Sequence, residues 1–116
     1  STDFNAISGP DYVTDTWSDA WADDAEAQQN GFISAYASSE ANEDFVELLS
    51  IYVTNPASYW NNVIQNAGAG AAKIQAKFEI VYNYMLNSWN IDLNELRDVI
   101  QERQAQIGTL DLETLN

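Results

Sequence analysis

Tyr36-Ala37-Ser38-Ser39-Glu40-Ala41-Asn42-Glu43-Asp44-Phe45-Val46-Glu47, with the run Leu48 to Thr54 behind it, is the stretch that decides the fold. Phe45, Leu48, Leu49, Tyr52 and Val53 fall at i, i+3, i+4, i+7 and i+8, the spacing of one buried helical face. Ser38 or Ser39 is the expected N-cap, and Glu40, Glu43 and Asp44 suit the positive end of the helix dipole. Glu43 and Glu47 lie four apart on a different face, where like charges cost roughly a few tenths of a kcal/mol. A helix built only for packing would more often carry a lysine or arginine beside Glu43. Such local conflicts tend to mark functional positions.

Downstream the pattern stays helical. Asn55-Pro56 ends the first helix and opens a second, with Asn55 as cap and Pro56 at its first position. That helix carries Tyr59, Trp60, Val63 and Ile64 and stops near Gly68. A long helix from about Ala71 to Asn90 bears Ile74, Phe78, Val81, Met85 and Trp89 along one side. Asp92 and Glu95 form a capping box for a last helix that buries Leu93, Leu96, Ile100 and Ile107, with Gly108 as its stop. Leu110, Leu112 and Leu115 in the tail are expected to dock as a short segment.

Upstream, residues 1–31 are less regular. Gly9-Pro10 signals a turn, and Asp11, Asp15, Asp19 and Asp23 then recur every four residues. In a helix this stacks four carboxylates on one face beside a Trp17–Trp21 pair. The alternating acids and central glycine of a calcium loop are absent, so a solvated acidic face is the favoured reading. Ala25 to Gln29 reads as a short helix stopped by Asn30-Gly31, and Phe32 to Ala37 as a turning segment that delivers Tyr36. The predicted fold is all-α: residues 1–116 as a single helical domain of four to five helices with an irregular N-terminal segment.

The residues that are missing narrow the function. Without cysteine there is no disulfide framework or thiol nucleophile, and without histidine no Ser-His-Asp triad or self-contained His-ligated zinc site. A net charge of −14 opposes nucleic acid and anionic membranes as partners. No run of apolar residues is long enough to span a bilayer. Eleven acidic residues precede the first basic one, Lys73, an asymmetry that suits solubility or the steering of a cation. A carboxylate pair drawn from Glu43, Asp44 and Glu47 is too crowded for a separated acid and base of glycoside hydrolysis. A metal ligand is the more natural role for Glu43, with Tyr36 seven residues earlier either aimed at the same spot or simply buried.

The run from Tyr36 to Glu47 resembles the C-terminal half of gluzincin-type zinc metallopeptidases. It is most similar to a group of zinc-binding lipoproteins of Bacteroidetes-type bacteria, metallohydrolases associated with substrate import. Thr2-Asp3-Phe4 with Ile7-Ser8, and Trp89 to Arg97 with Ile100-Gln101, also resemble that family, so the likeness runs over most of the chain. The resemblance implies that Glu43 is the third zinc ligand and Tyr36 the phenol that stabilises the oxyanion. It implies that Glu47 orients a zinc-bound histidine and that Asp44 braces the helix N-terminus. In that family the zinc is held by two histidines and a glutamate and keeps an open position for a water.

The family's His-Glu-x-x-His motif is not in this sequence. The resemblance therefore implies a C-terminal portion that begins downstream of the active-site helix. Such a portion is inactive alone, expected to hold no zinc by itself, and partnered by the motif-bearing portion and a peptide-type substrate. It also implies export, with lipid anchoring to the cell envelope. An apolar face left by the missing helix is expected to favour a homodimer. The alternative reading is a non-catalytic helical interaction module on the same scaffold.

Overall fold

The computed structural model describes residues 2–114, with side chains from 3 to 109, and its described residues hold seven α-helices and no strand. α1 (Thr2–Ser8), α2 (Trp17–Ala20) and α3 (Asp24–Gln29) are short, and α4 (Ala41–Thr54), α5 (Ala57–Asn66), α6 (Ala71–Trp89) and α7 (Leu93–Thr114) form the frame. The all-α expectation holds, but the segment read as irregular supplies three of the seven helices.

α4 lies at the centre, packed against α6, α7 and a 3-10 turn at Tyr36–Ser39. Leu48, Tyr52 and Val53 of α4 are buried with Val63 of α5, Ile74 and Val81 of α6, and Leu93 of α7. Tyr52, Trp60 and Phe78 form a three-ring cluster with centroids 4.2–5.0 Å apart. Edge-to-face and offset ring contacts add about 0.5–1.5 kcal/mol each beyond their burial, and here the Tyr52–Trp60 pair is edge-to-face and the other two are tilted. Tyr52 also donates to Asn94 beneath the Arg97 guanidinium, which ties α4 to the first turn of α7.

Several local expectations change. Asp11, Asp15, Asp19 and Asp23 do not share a helix, because the backbone is extended at Tyr12 and again at Trp21. Asp11 instead pairs with Lys73 at 3.1 Å, and Asp23 caps α3 by accepting from the Glu26 amide at 2.9 Å. The two tryptophans part company: Trp17 meets Tyr36, while Trp21 packs toward Phe32 and donates to Ser38 Oγ at 2.9 Å. Ser38 and Ser39 do not cap α4. They lie in the 3-10 turn, Ser38 Oγ is engaged by Trp21 and the Ala35 carbonyl, and extended Glu40 takes the N-cap position. Asn55 turns back to the Ile51 carbonyl at 2.9 Å and closes α4, so extended Pro56 takes the N-cap position of α5 in place of Asn55, and the helix begins at Ala57.

Asp92 does cap α7, accepting from the Asn94 and Glu95 amides, while its second oxygen takes the Tyr82 hydroxyl. Asn90, with φ of 55°, ends α6. Gly108 does not end α7, which runs on to Thr114. A glycine weakens a helix by about 1 kcal/mol but does not by itself stop one. The side chains of Leu110 and Leu112, and all of Leu115, lie outside the described residues, and with them the expected docking of the tail.

Gly70 is a packing requirement. A Cβ there would fall 2.0 Å from the Gln28 carbonyl oxygen and 2.7 Å from the Gln29 carbonyl carbon, both backbone atoms that cannot swing aside. Gly70→Ala should therefore cost about 1–3 kcal/mol, the usual range for overpacking. A urea midpoint equal to the parent's would show that α3 moves freely away from the start of α6.

Candidate functional site

Tyr36 and Glu43 are presented by two elements that meet at a sharp corner. The chain leaves α3 at Asn30-Gly31, buries Phe32 and Ile33 completely, and then turns through Ser34 into the 3-10 turn. That turn is clamped on several sides. Ser34 Oγ accepts from the Ala37 amide at 3.1 Å, and the Ala35 amide donates to Asp24 Oδ1 at 2.8 Å. The Val13 amide donates to the Ser38 carbonyl at 2.8 Å. Tyr36 stands on this fixed platform with its ring 5.1 Å from Trp17 in an edge-on arrangement, and it remains 41% exposed.

Glu43 follows in the first turn of α4, and the Tyr36 phenol lies beside its carboxylate. The Glu43 carboxylate beside it pushes the phenol pKa up, helped by partial desolvation and by the negative charges of Glu40 and Glu47. The hydroxyl thus keeps its proton across neutral and mildly alkaline pH. Glu47, one turn on, accepts from Ser34 Oγ at 2.9 Å. Its carboxylate therefore steadies the turn that carries Tyr36. The two residues singled out in the sequence come together, and the third supports them from below.

Asp44 has a different place from the one expected. It does not brace the helix end but is fully buried, 2.7 Å from the Nζ of a fully buried Lys77 on α6. Tyr12 donates to the same carboxylate oxygen at 2.7 Å, and Lys77 also donates to the Gly31 carbonyl at 2.8 Å. The ammonium lies 4.3 Å from the centroid of Phe32. Burial raises the Asp44 pKa and lowers that of Lys77, each opposed by the partner's charge. A signal for this pair was present in the sequence. Asp44 continues the buried Leu48–Tyr52 row one turn back, and Lys77 lies between Ile74 and Val81 on the buried side of α6.

A model of the family described as "putative zinc-binding metallo-peptidase" matches residues 1–94. The chain belongs to this family. A solved protein from Bacteroides caccae, also titled a "putative zinc-binding metallo-peptidase", superposes on 97% of the chain with a TM-score of 0.87 and 36% identity. The chain spans 42% of that protein's length, so it corresponds to less than half of its solved relative. Comparison with curated proteins finds no match.

Whether this metallo-peptidase-family chain could itself hold zinc is answered by its donors. It has no histidine or cysteine. Among the described residues no three Asp or Glu side chains converge as a metal-binding group. Glu43 offers one carboxylate and Tyr36 one phenol, fewer than the three protein ligands of a catalytic zinc. The described residues do not by themselves make up a complete zinc site.

Proposed function

We propose that this chain is the C-terminal helical portion of a zinc metallopeptidase. It contributes Glu43 as one metal ligand and Tyr36 as a hydrogen-bond donor to the reacting carbonyl oxygen. The observation that carries the reading is the approach of the Tyr36 phenol to the Glu43 carboxylate at the head of α4, brought about across seven residues by a clamped turn. A zinc held there together with ligands from outside this chain would supply Lewis acidity. Tyr36 keeps its proton and stands edge-on to Trp17 on a clamped turn, which suits a donor to developing negative charge. Glu47 holds the turn through Ser34.

The surroundings of Glu43 fit a portion that packs against more protein. Tyr36 on one side and Val46, 55% exposed, on the other leave apolar surface beside the carboxylate. We place the motif-bearing portion of the protein, with its two histidines, on that face, and a peptide as the substrate between them. The chain alone is inactive in this scheme. Export and lipid anchoring belong to the same proposal. Among the described residues no helix is long and apolar enough to cross a membrane.

Tyr36→Phe in the complete protein tests the role of the phenol. Turnover of a peptide substrate should fall by about 10²-fold with zinc content unchanged, as for the loss of one oxyanion donor. Undiminished turnover would remove Tyr36 from the chemistry.

A further inference from the structure

The mechanism leaves one buried cluster unused. Lys77 makes two polar contacts, to Asp44 Oδ2 at 2.7 Å and to the Gly31 carbonyl at 2.8 Å. Asp44 immediately follows Glu43, and Gly31 opens the segment that ends at Tyr36. The two elements whose corner brings phenol and carboxylate together are thus pinned to a single ammonium on a third helix. We infer that Lys77 is a positioning residue that sets the spacing between Tyr36 and Glu43.

The arrangement has features that simple packing would not need. Both partners are completely buried, and a buried ion pair is often no more stabilising than well-packed apolar residues of similar volume. Asp44 Oδ1 has no hydrogen-bond partner, so the pair is not arranged for greatest stability. Gly31 adopts φ of 93° and lies against the Lys73 stem, so a side chain there would meet Lys73 carbons at 2.8 Å. The Lys73 stem thus crowds one side of Gly31, while Lys77 donates to its carbonyl across the Phe32 ring. An apolar residue at position 77 would fill the space but hold neither the Gly31 carbonyl nor the Asp44 carboxylate. Geometry within a site is sensitive to such shifts, and a misplacement of about 1 Å can cost 10²-fold in rate.

This inference rests on the proposed roles of Tyr36 and Glu43, and its test separates the two. The double substitution Asp44→Leu with Lys77→Met replaces the pair by apolar side chains of similar size. Its fold is checked by circular dichroism. Cross-relaxation between the Tyr36 ring protons and the Glu43 side chain is then measured by NMR on this chain. The expected result is a folded variant in which that cross-relaxation is lost. In the complete protein the same variant should lose about tenfold or more in kcat with little change in KM.

Retention of the parent's Tyr36–Glu43 contact in the folded variant would overturn the positioning role. If the double variant does not fold, Asp44→Asn is read in the same way. It keeps the side-chain volume and the Tyr12 bond but removes the charge that holds Lys77, so the contact should weaken, and an unchanged contact again overturns the role. A contact that is lost without any change in turnover would support the positioning by Lys77 and count against the catalytic reading of Tyr36 instead.

Discussion

Replacing Lys77 with methionine alone is expected to destabilise the chain by about 3–5 kcal/mol, the usual cost of stranding one member of a buried ion pair. Lys77 and Asp44 are both fully buried and 2.7 Å apart. Without the ammonium, Asp44 keeps only the Tyr12 hydroxyl, and its second oxygen is already unpartnered. The Gly31 carbonyl loses a charged donor in the same step. Against a total stability of about 5–15 kcal/mol for a domain of this size, such a loss is a large fraction of the whole. Urea denaturation followed by circular dichroism measures it. A loss below about 1 kcal/mol would mean that water reaches the Asp44 carboxylate. Adding Asp44→Leu should recover most of the deficit, because the cost lies in the unpaired charge rather than in the absence of the pair.

The second large effect concerns the metal. Glu43→Gln keeps the side-chain shape and replaces the carboxylate proposed as a zinc ligand by a neutral amide. Even groups one step removed from a metal cost about 10–100-fold in affinity when they are changed. Loss of a direct ligand should exceed that range. The fold should hardly notice, since Glu43 is only half-buried and surface substitutions usually stay within about 0.5 kcal/mol. Tyr36 would lose the charged acceptor that raises its pKa, so the phenol should titrate closer to its ordinary value in the variant.

How far the sequence discloses this structure depends on how local the deciding interaction is. The long helices were legible because their apolar spacing is regular and their ends carry local signals, such as Asp92 and Asn90. The meeting of Tyr36 with Glu43 was legible from the family likeness, and the 3-10 turn supplies the physical route. What could not be read were hydrogen bonds between distant segments. Ser38 looks like a helix cap until Trp21, seventeen residues earlier, takes its hydroxyl. The acids from Asp11 to Asp23 look like one helical face until the chain is seen to extend at Tyr12 and Trp21. Asp44 looks like part of an ordinary acidic helix start although it extends the buried Leu48–Tyr52 row by one turn, and its counter-charge stands thirty-three positions away on α6. For Ser38 and Asp44 a long-range partner overrode a sound local preference.

Glu43 is proposed to serve as a zinc ligand once the remainder of the protein is present. The most direct test of that role is the zinc content of the complete protein, parent beside Glu43→Gln, after dialysis against a chelator and reloading with zinc alone. The account predicts about one zinc per parent molecule and none retained by the variant, with both equally folded. Equal zinc content and equal affinity in the two proteins would contradict it.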